Sequence, residues 1–167
     1  MEKLDLGKKY KSYYTAKAKP EVIEVEAAQY ISITGKGDPS GERFARDIEA
    51  MYATTYNMKF ASKESGQDFV VPKLEGLWWY DEEKFGGVAM DGAPRQVSRD
   101  EWEYRLLIRL PDFITENHVV QAKDNVMLIK KLQAVEKIAF YGMPAHKAGQ
   151  VLHVGPFDTE PETLEIM

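Results

Sequence analysis

Read for the rhythm of its apolar positions, the chain divides into short alternating stretches and two longer helical ones. Val22, Ile23 and Val25 predict a short strand. Tyr30 to Thr34 predicts a second, with Tyr30, Ser32 and Thr34 on one side and Ile31 and Ile33 on the other, because successive strand residues face opposite ways. Phe44, Ile48, Met51, Tyr52, Thr55 and Tyr56 recur at three- and four-residue steps and predict an amphipathic helix over Ser40–Tyr56, with Ser40 or Asp38 as its cap. Ser62 to Asp68 reads as a polar turn. Phe69 to Tyr80 reads as a strand whose rhythm Pro72 and Gly76 interrupt. Asp81 to Asp100 is a long loop, of a length uncommon inside a compact domain unless it is functional or mobile. Glu101 to Leu110 alternates most cleanly: Trp102, Tyr104, Leu106, Ile108 and Leu110 on one side, Glu103, Arg105 and Arg109 on the other, broken only by Leu107.

Pro111 ends that strand, and Thr115 caps a second helix over Thr115–Leu132 with Val119, Ala122, Val126 and Ile129 on its buried stripe. Ile138–Met143 and Gln150–Val154 predict a hairpin around Pro144, Ala145, His146 and Lys147. Thr159 and Glu162 fit a capping box. The helix they announce is too short to persist unpacked in water. The Lys- and Tyr-rich residues 1–20 read as an arm or short helix on the domain edge.

Part of this pattern occurs twice. Gln29 to Gly35, followed by Asp38, Pro39, Ser40, Gly41 and Glu42, is echoed by Gln150 to Gly155, followed by Asp158, Thr159, Glu160, Pro161 and Glu162. Each copy reads as an alternating strand, a glycine exit and an acidic helix start. A duplicated unit ordinarily buries its apolar face against its partner. The fold class expected is therefore α+β: tandem strand-helix-strand-strand repeats forming an antiparallel sheet, helices on one face, and the second repeat incomplete. One domain spans 1–167, with a first repeat over about 21–111, a connecting helix over about 115–132 and a partial second repeat over about 137–167. An uncovered strand edge recruits other chains. The expectations are hence a homodimer or aggregate, or disorder after about residue 158.

Composition narrows the chemistry. The chain has 167 residues, 44% of them hydrophobic, enough for a sizeable core, and a formal net charge of −5, which argues against nucleic acid as a partner. It has no cysteine, so disulfides, thiolate nucleophiles and thiolate-bound metals are excluded. The first six residues are too polar for a signal peptide, and no apolar run approaches a membrane span, so a cytoplasmic protein without membrane partners is expected. Gly35 to Gly41 superficially resembles a phosphate loop, but the spacing is wrong for a dinucleotide fingerprint and Asp38 would repel phosphate. No metal-ligand spacing and no cofactor motif is present.

The strongest site signal is Leu77-Trp78-Trp79-Tyr80. Adjacent strand residues diverge, so one indole faces the helices and the other the far side of the sheet. Either both are core, or Trp79 lines a groove with Trp102 and Tyr104 on the same wall. Aromatic faces bind flat apolar ligands and cations. Tyr141 and His153, expected on paired strands, are either packed or hydrogen-bonded to a ligand in that groove. Glu75, inside the tryptophan-bearing strand, is either a surface carboxylate or a general base.

These residues carry a resemblance. Ile33 to Pro39, Val70 to Trp79, Trp102 to Arg109 with Pro111, Asp112 and Phe113, and His153 to Asp158 with Glu160 to Thr163 are similar to the gyrase-inhibitor-like (GyrI-like) small-molecule-binding family. More closely they resemble its stand-alone bacterial branch, which includes hydrolases of cyclopropane-bearing genotoxins. The resemblance covers nearly the whole chain. It implies two strand-helix-strand-strand repeats in one antiparallel sheet, helices on one face, and a groove on the other for hydrophobic, often cationic or polycyclic compounds. In the hydrolase branch an electrophilic cyclopropane is opened by water. The family's key groove glutamate would fall on a strand after residue 167, so the resemblance assigns no catalytic residue here. Trp79, Trp102, Tyr104, Tyr141 and His153 are the ligand-binding candidates. A protein-interaction module, such as an inhibitor of a DNA topoisomerase, is the alternative.

Overall fold

The computed structural model describes residues 3–89, 91–156 and 159–167. In chain order its elements begin with β1 (Leu4–Asp5), α1 (Leu6–Lys9), α2 (Lys11–Tyr14), β2 (Glu21–Val25) and β3 (Ala28–Lys36). Next come α3 (Glu42–Glu64), β4 (Phe69–Val70), β5 (Glu75–Trp79), α4 (Ala93–Gln96) and β6 (Glu103–Leu110). The last are α5 (Glu116–Lys130), β7 (Ala139–Met143), β8 (His146–Gln150) and α6 (Glu160–Leu164). The protein is α+β. Its main sheet is antiparallel, in the order β5-β6-β3-β7.

Alternation in β3 and β6 sorts the two faces as read from the sequence. Ile31, Ile33, Leu106, Ile108 and Leu110 are buried against α3 and α5, where they meet Ala50, Met51, Met58, Val119, Ala122 and Val126. Burying each of the larger side chains contributes about 1.5–3 kcal/mol. Both long helices lie on this face. The opposite face is partly roofed by the one-turn helices α1 and α2, where the Tyr10 ring stacks on Arg109.

Helix α3 is longer than its sequence pattern suggested. Asp38 is not its cap: the carboxylate accepts from Ser40 N at 2.8 Å within the preceding turn, and Gly41 is the N-cap. Lys63 and Glu64 continue the helix, because they are good helix formers and no breaker precedes Gly66. Gly66, at φ 86°, takes the left-handed conformation. Gly66 N then bonds Lys63 O at 3.1 Å and Gln67 N bonds Ser62 O at 2.8 Å, the Schellman closure. Helix α5 starts as expected at Thr115, which forms a reciprocal capping box with His118.

Three other expectations are corrected. The stretch 69–80 is two strands, since Pro72 breaks the ladder; β4 pairs in parallel with β1, and β5 pairs with β6. β7 and the chain after it do not fold back on one another. β7 pairs with β3, and β8 pairs with β2 in the same register. Glu26–Ala27 thus stand opposite Pro144–Ala145, making one long two-stranded ribbon interrupted where Pro144 has no N–H to donate. Residues 151–156 are irregular, and Leu152 N bonds Lys17 O of the N-terminal arm instead of a strand partner. Thr159 is the N-cap of α6 but makes no side-chain cap; its hydroxyl donates to Pro156 O at 2.9 Å. Of the echoed segment, Asp158 lies outside the described residues.

Candidate functional site

Residues directly opposite on antiparallel strands share a face. The register therefore fixes what lies on the face away from α3 and α5, as four rows. Arg109, Tyr30 and Tyr141 form one row; Glu75, Leu107, Ser32 and Ala139 the next. Leu77, Arg105 and Thr34 form the third; Trp79, Glu103 and Lys36 the last. Burial changes along the rows. Tyr30, Ser32, Leu107 and Arg109 are buried, whereas Leu77, Trp79, Thr34 and Lys36 are exposed. The face is a roofed half beside an open shelf.

Glu75 stands at the boundary. Its Oε2 accepts from the Tyr13 hydroxyl and its Oε1 from Tyr14 at 3.2 Å. Tyr13 in turn lies 3.4 Å from the Tyr30 hydroxyl. Burial pushes the Glu75 carboxyl above the usual carboxylate range, while the two tyrosine hydrogen bonds and the Arg109 charge pull it back only in part. Burial first, then the neighbouring carboxylate, pushes Tyr13 and Tyr14 far up, and burial raises Tyr30, so all three phenols stay protonated donors. Arg109 is held between rings, 3.6 Å from the Tyr10 centroid and 5.8 Å from Tyr13. A partly buried carboxyl with a raised pKa is a candidate for exchanging a proton with water or a ligand.

The open shelf adjoins it, one strand step from Glu75 at Leu77. Trp79 donates its indole N–H to Glu103 Oε2 at 3.1 Å, which fixes the ring edge and leaves 39% of the residue exposed. The Arg105 guanidinium crosses the sheet to stack on Tyr141, 4.2 Å from the ring centroid. Trp79 and Tyr141 thus mark opposite corners of the face, and Arg105 spans the ground between them.

The shared wall of Trp79, Trp102 and Tyr104 is corrected. Trp79 is opposite Glu103, and Tyr104 is opposite Trp78 on the helix face. Tyr104 is buried, its hydroxyl donating to Asp47 on α3 at 2.9 Å, with Phe44 and Trp78 against its ring. Trp102 precedes β6, packs on Tyr80 at 5.2 Å and lies 3.4 Å from Val97 O through its indole nitrogen. His153 lies outside any strand. Its Nδ1 is 2.7 Å from the Thr163 hydroxyl and its Nε2 3.0 Å from Pro156 O, so both nitrogens tie the C-terminal turn and neither is aimed at the sheet. Of the sequence candidates, Trp79, Tyr141 and Glu75 lie on this face, together with Tyr30, Arg105 and Arg109 and with Tyr13 and Tyr14 of the arm. The polar alternation of Glu103, Arg105 and Arg109 pointed to this face; nothing local linked the tyrosines of the arm to Glu75.

Among the described residues, no group of three or more His, Asp or Glu side chains could hold a metal ion. No helix there is long and apolar enough to cross a membrane.

No family model matches the chain, and no curated protein does. Solved structures do. An uncharacterized conserved protein from Listeria innocua is 32% identical, with a TM-score of 0.85 over 99% of this chain and 78% of that one. A hydrolase from Listeria innocua is 30% identical, with a TM-score of 0.82 over 99% of this chain and 81% of that one. A hydrolase encoded by lin2189 from the same organism is 31% identical, with a TM-score of 0.84 over 99% and 78%. Identity at this level over the full described fold makes the chain a member of the family these Listeria innocua proteins form.

Proposed function

We propose that the protein binds hydrophobic polycyclic small molecules on the far face of the sheet and hydrolyses electrophilic ones, of the strained cyclopropane type, with Glu75 as general base. The observation that carries this reading is the Glu75 carboxyl, held by Tyr13 and Tyr14 beside the exposed Leu77 and Trp79. A flat ligand stacked on Trp79 would bring an electrophilic carbon within reach of a water on Glu75. The water oxygen bonds to that carbon as the ring bond breaks. Glu75 takes the water proton and returns it to the atom that received the electron pair. The hydrolases among the Listeria relatives support the reaction class. The test is incubation with an electrophilic cyclopropane conjugated to an aromatic ring, with the product followed by mass. Addition of one water that Glu75→Gln abolishes while Trp79 quenching persists is expected. Turnover unchanged in Glu75→Gln would overturn the assignment.

A protein-interaction role is the second reading, favoured by the outer helix surface. Tyr52, Tyr56 and Phe60 stack in a row along α3, 6.5 and 6.1 Å apart, and Phe60 and Ile129 are exposed. They border an open depression of about 450 Å³ flanked by Glu49 and Lys130. Opposite charges at its rim are self-complementary under a twofold, so the partner argued is a second copy of this chain. Sedimentation showing a dimer that Phe60→Ser dissolves is expected on this reading, and a monomer at all concentrations would remove it.

A further inference from the structure

The charges on the open shelf are unevenly committed. Glu103 accepts from Trp79, and Glu75 accepts from two tyrosines. Glu101, just before β6, is paired with Lys36 and Lys84. Arg109 is buried and covered by Tyr10. Arg105 alone is different. It sits mid-row between Leu77 and Thr34, both exposed. Its guanidinium forms a salt bridge with no carboxylate among the described residues. Its Nε–H is buried and has no acceptor among them. Stacking on Tyr141 fixes the plane of the guanidinium without using its donors.

The terminal nitrogens of the same guanidinium are not shut away as Nε is and form no side-chain hydrogen bond among the described residues, so they can donate to an oxygen arriving on the shelf. A cation on this shelf would meet a like charge and find the carboxylates already engaged.

We propose that Arg105 determines ligand specificity here by donating to a carbonyl or carboxylate oxygen, so that the groove selects aromatic compounds carrying such an acceptor over aromatic cations. This rests on the groove reading above and names its substrate class against the expectation of cationic ligands.

The test uses three probes on one ring system, read by quenching of tryptophan fluorescence: naphthalene-2-carboxylate, 2-acetylnaphthalene and (naphthalen-2-yl)methyl-trimethylammonium. The intact chain should bind the carboxylate and the ketone about tenfold more tightly than the ammonium, the size of one charged hydrogen bond. Arg105→Met keeps the apolar stem and should erase that preference. Arg105→Lys keeps the charge without the planar fork of guanidinium donors and should retain part of it. A thermal melt of each variant separates lost binding from lost folding, and the ranking of probes on the unaltered chain stands whatever the variants do. Preference for the ammonium, or a preference for the acceptors that survives in folded Arg105→Met, would overturn this inference and leave the groove reading standing. Binding of none of the three would overturn both.

Discussion

The Tyr14 hydroxyl lies 3.2 Å from Glu75 Oε1 although the two residues are 61 positions apart. With Tyr13 on the other oxygen, the N-terminal arm supplies both donors that hold the carboxylate. Its proton affinity is therefore set jointly by the sheet that buries it and the arm that solvates it.

From this follows a pH dependence. The folded-state pKa of Glu75 is raised by burial, so the protonated form is favoured on folding. Its contribution to stability is full below the ordinary carboxylate pKa and is lost as pH rises through the raised value. Glu75→Gln should therefore gain stability relative to the parent as pH rises through that window. Tyr13→Phe removes a hydrogen bond that lowers the pKa, and should raise it further. Melting curves across pH and a carboxyl-carbon titration by NMR check both; a pH-independent stability difference would place the carboxyl in ordinary solvent.

Aromatic binding should separate the indoles. Trp79→Ala should weaken a stacked ligand by about 1–3 kcal/mol through lost contact and buried area. Trp102→Ala, on the other side of the register, should leave affinity unchanged. Fluorescence titration of the two variants decides, and equal losses in both would return Trp102 to the groove wall.

Gly35 stands directly opposite Tyr104. A Cβ there would lie 2.3 Å from the tyrosine ring. Gly35→Ala should displace the ring, disturb its bond to Asp47 and destabilise the fold by about 1–3 kcal/mol, as overpacking does. Chemical denaturation of Gly35→Ala and of Tyr104→Phe should show the larger loss in the first.

Lys131 ends α5 at φ 54°, a left-handed conformation that a side chain disfavours. Lys131→Gly should relieve it and stabilise the protein by about 0.5–1 kcal/mol. At this chain length the melting temperature would rise by roughly 2–4 °C per kcal/mol. A lower melting temperature would mean that the lysine side chain compensates for its backbone.

The core was largely legible. Alternation in Glu103–Leu110 and the Thr115 cap follow from local periodicity, which is what a sequence displays directly. Periodicity alone ends α3 at Tyr56, because the apolar recurrence thins there and Ser62 to Asp68 is polar, while the stop is set by the conformation of Gly66. The wall around Trp79 failed for another reason. Strand register is a long-range quantity, and an offset of one residue exchanges Glu103 for Tyr104 across the whole face. Glu75 was visible as a carboxylate in an apolar strand, but its partners Tyr13 and Tyr14 come from a distant arm whose Lys- and Tyr-rich sequence reads as surface.

Gln150 donates its side-chain amide to the carbonyl oxygen of Tyr13 at 2.9 Å, across 137 positions. That contact ties the arm to β8, so the arm is fully docked over Glu75 only once residue 150 has joined the fold. Closing so wide a loop carries an entropic cost that is met only once the sheet beneath is in place. The helical core can therefore condense first, and the Glu75 carboxyl gains its full cover only when β8 docks. A folding intermediate would accordingly show native helicity before the Glu75 carboxyl reaches its raised proton affinity.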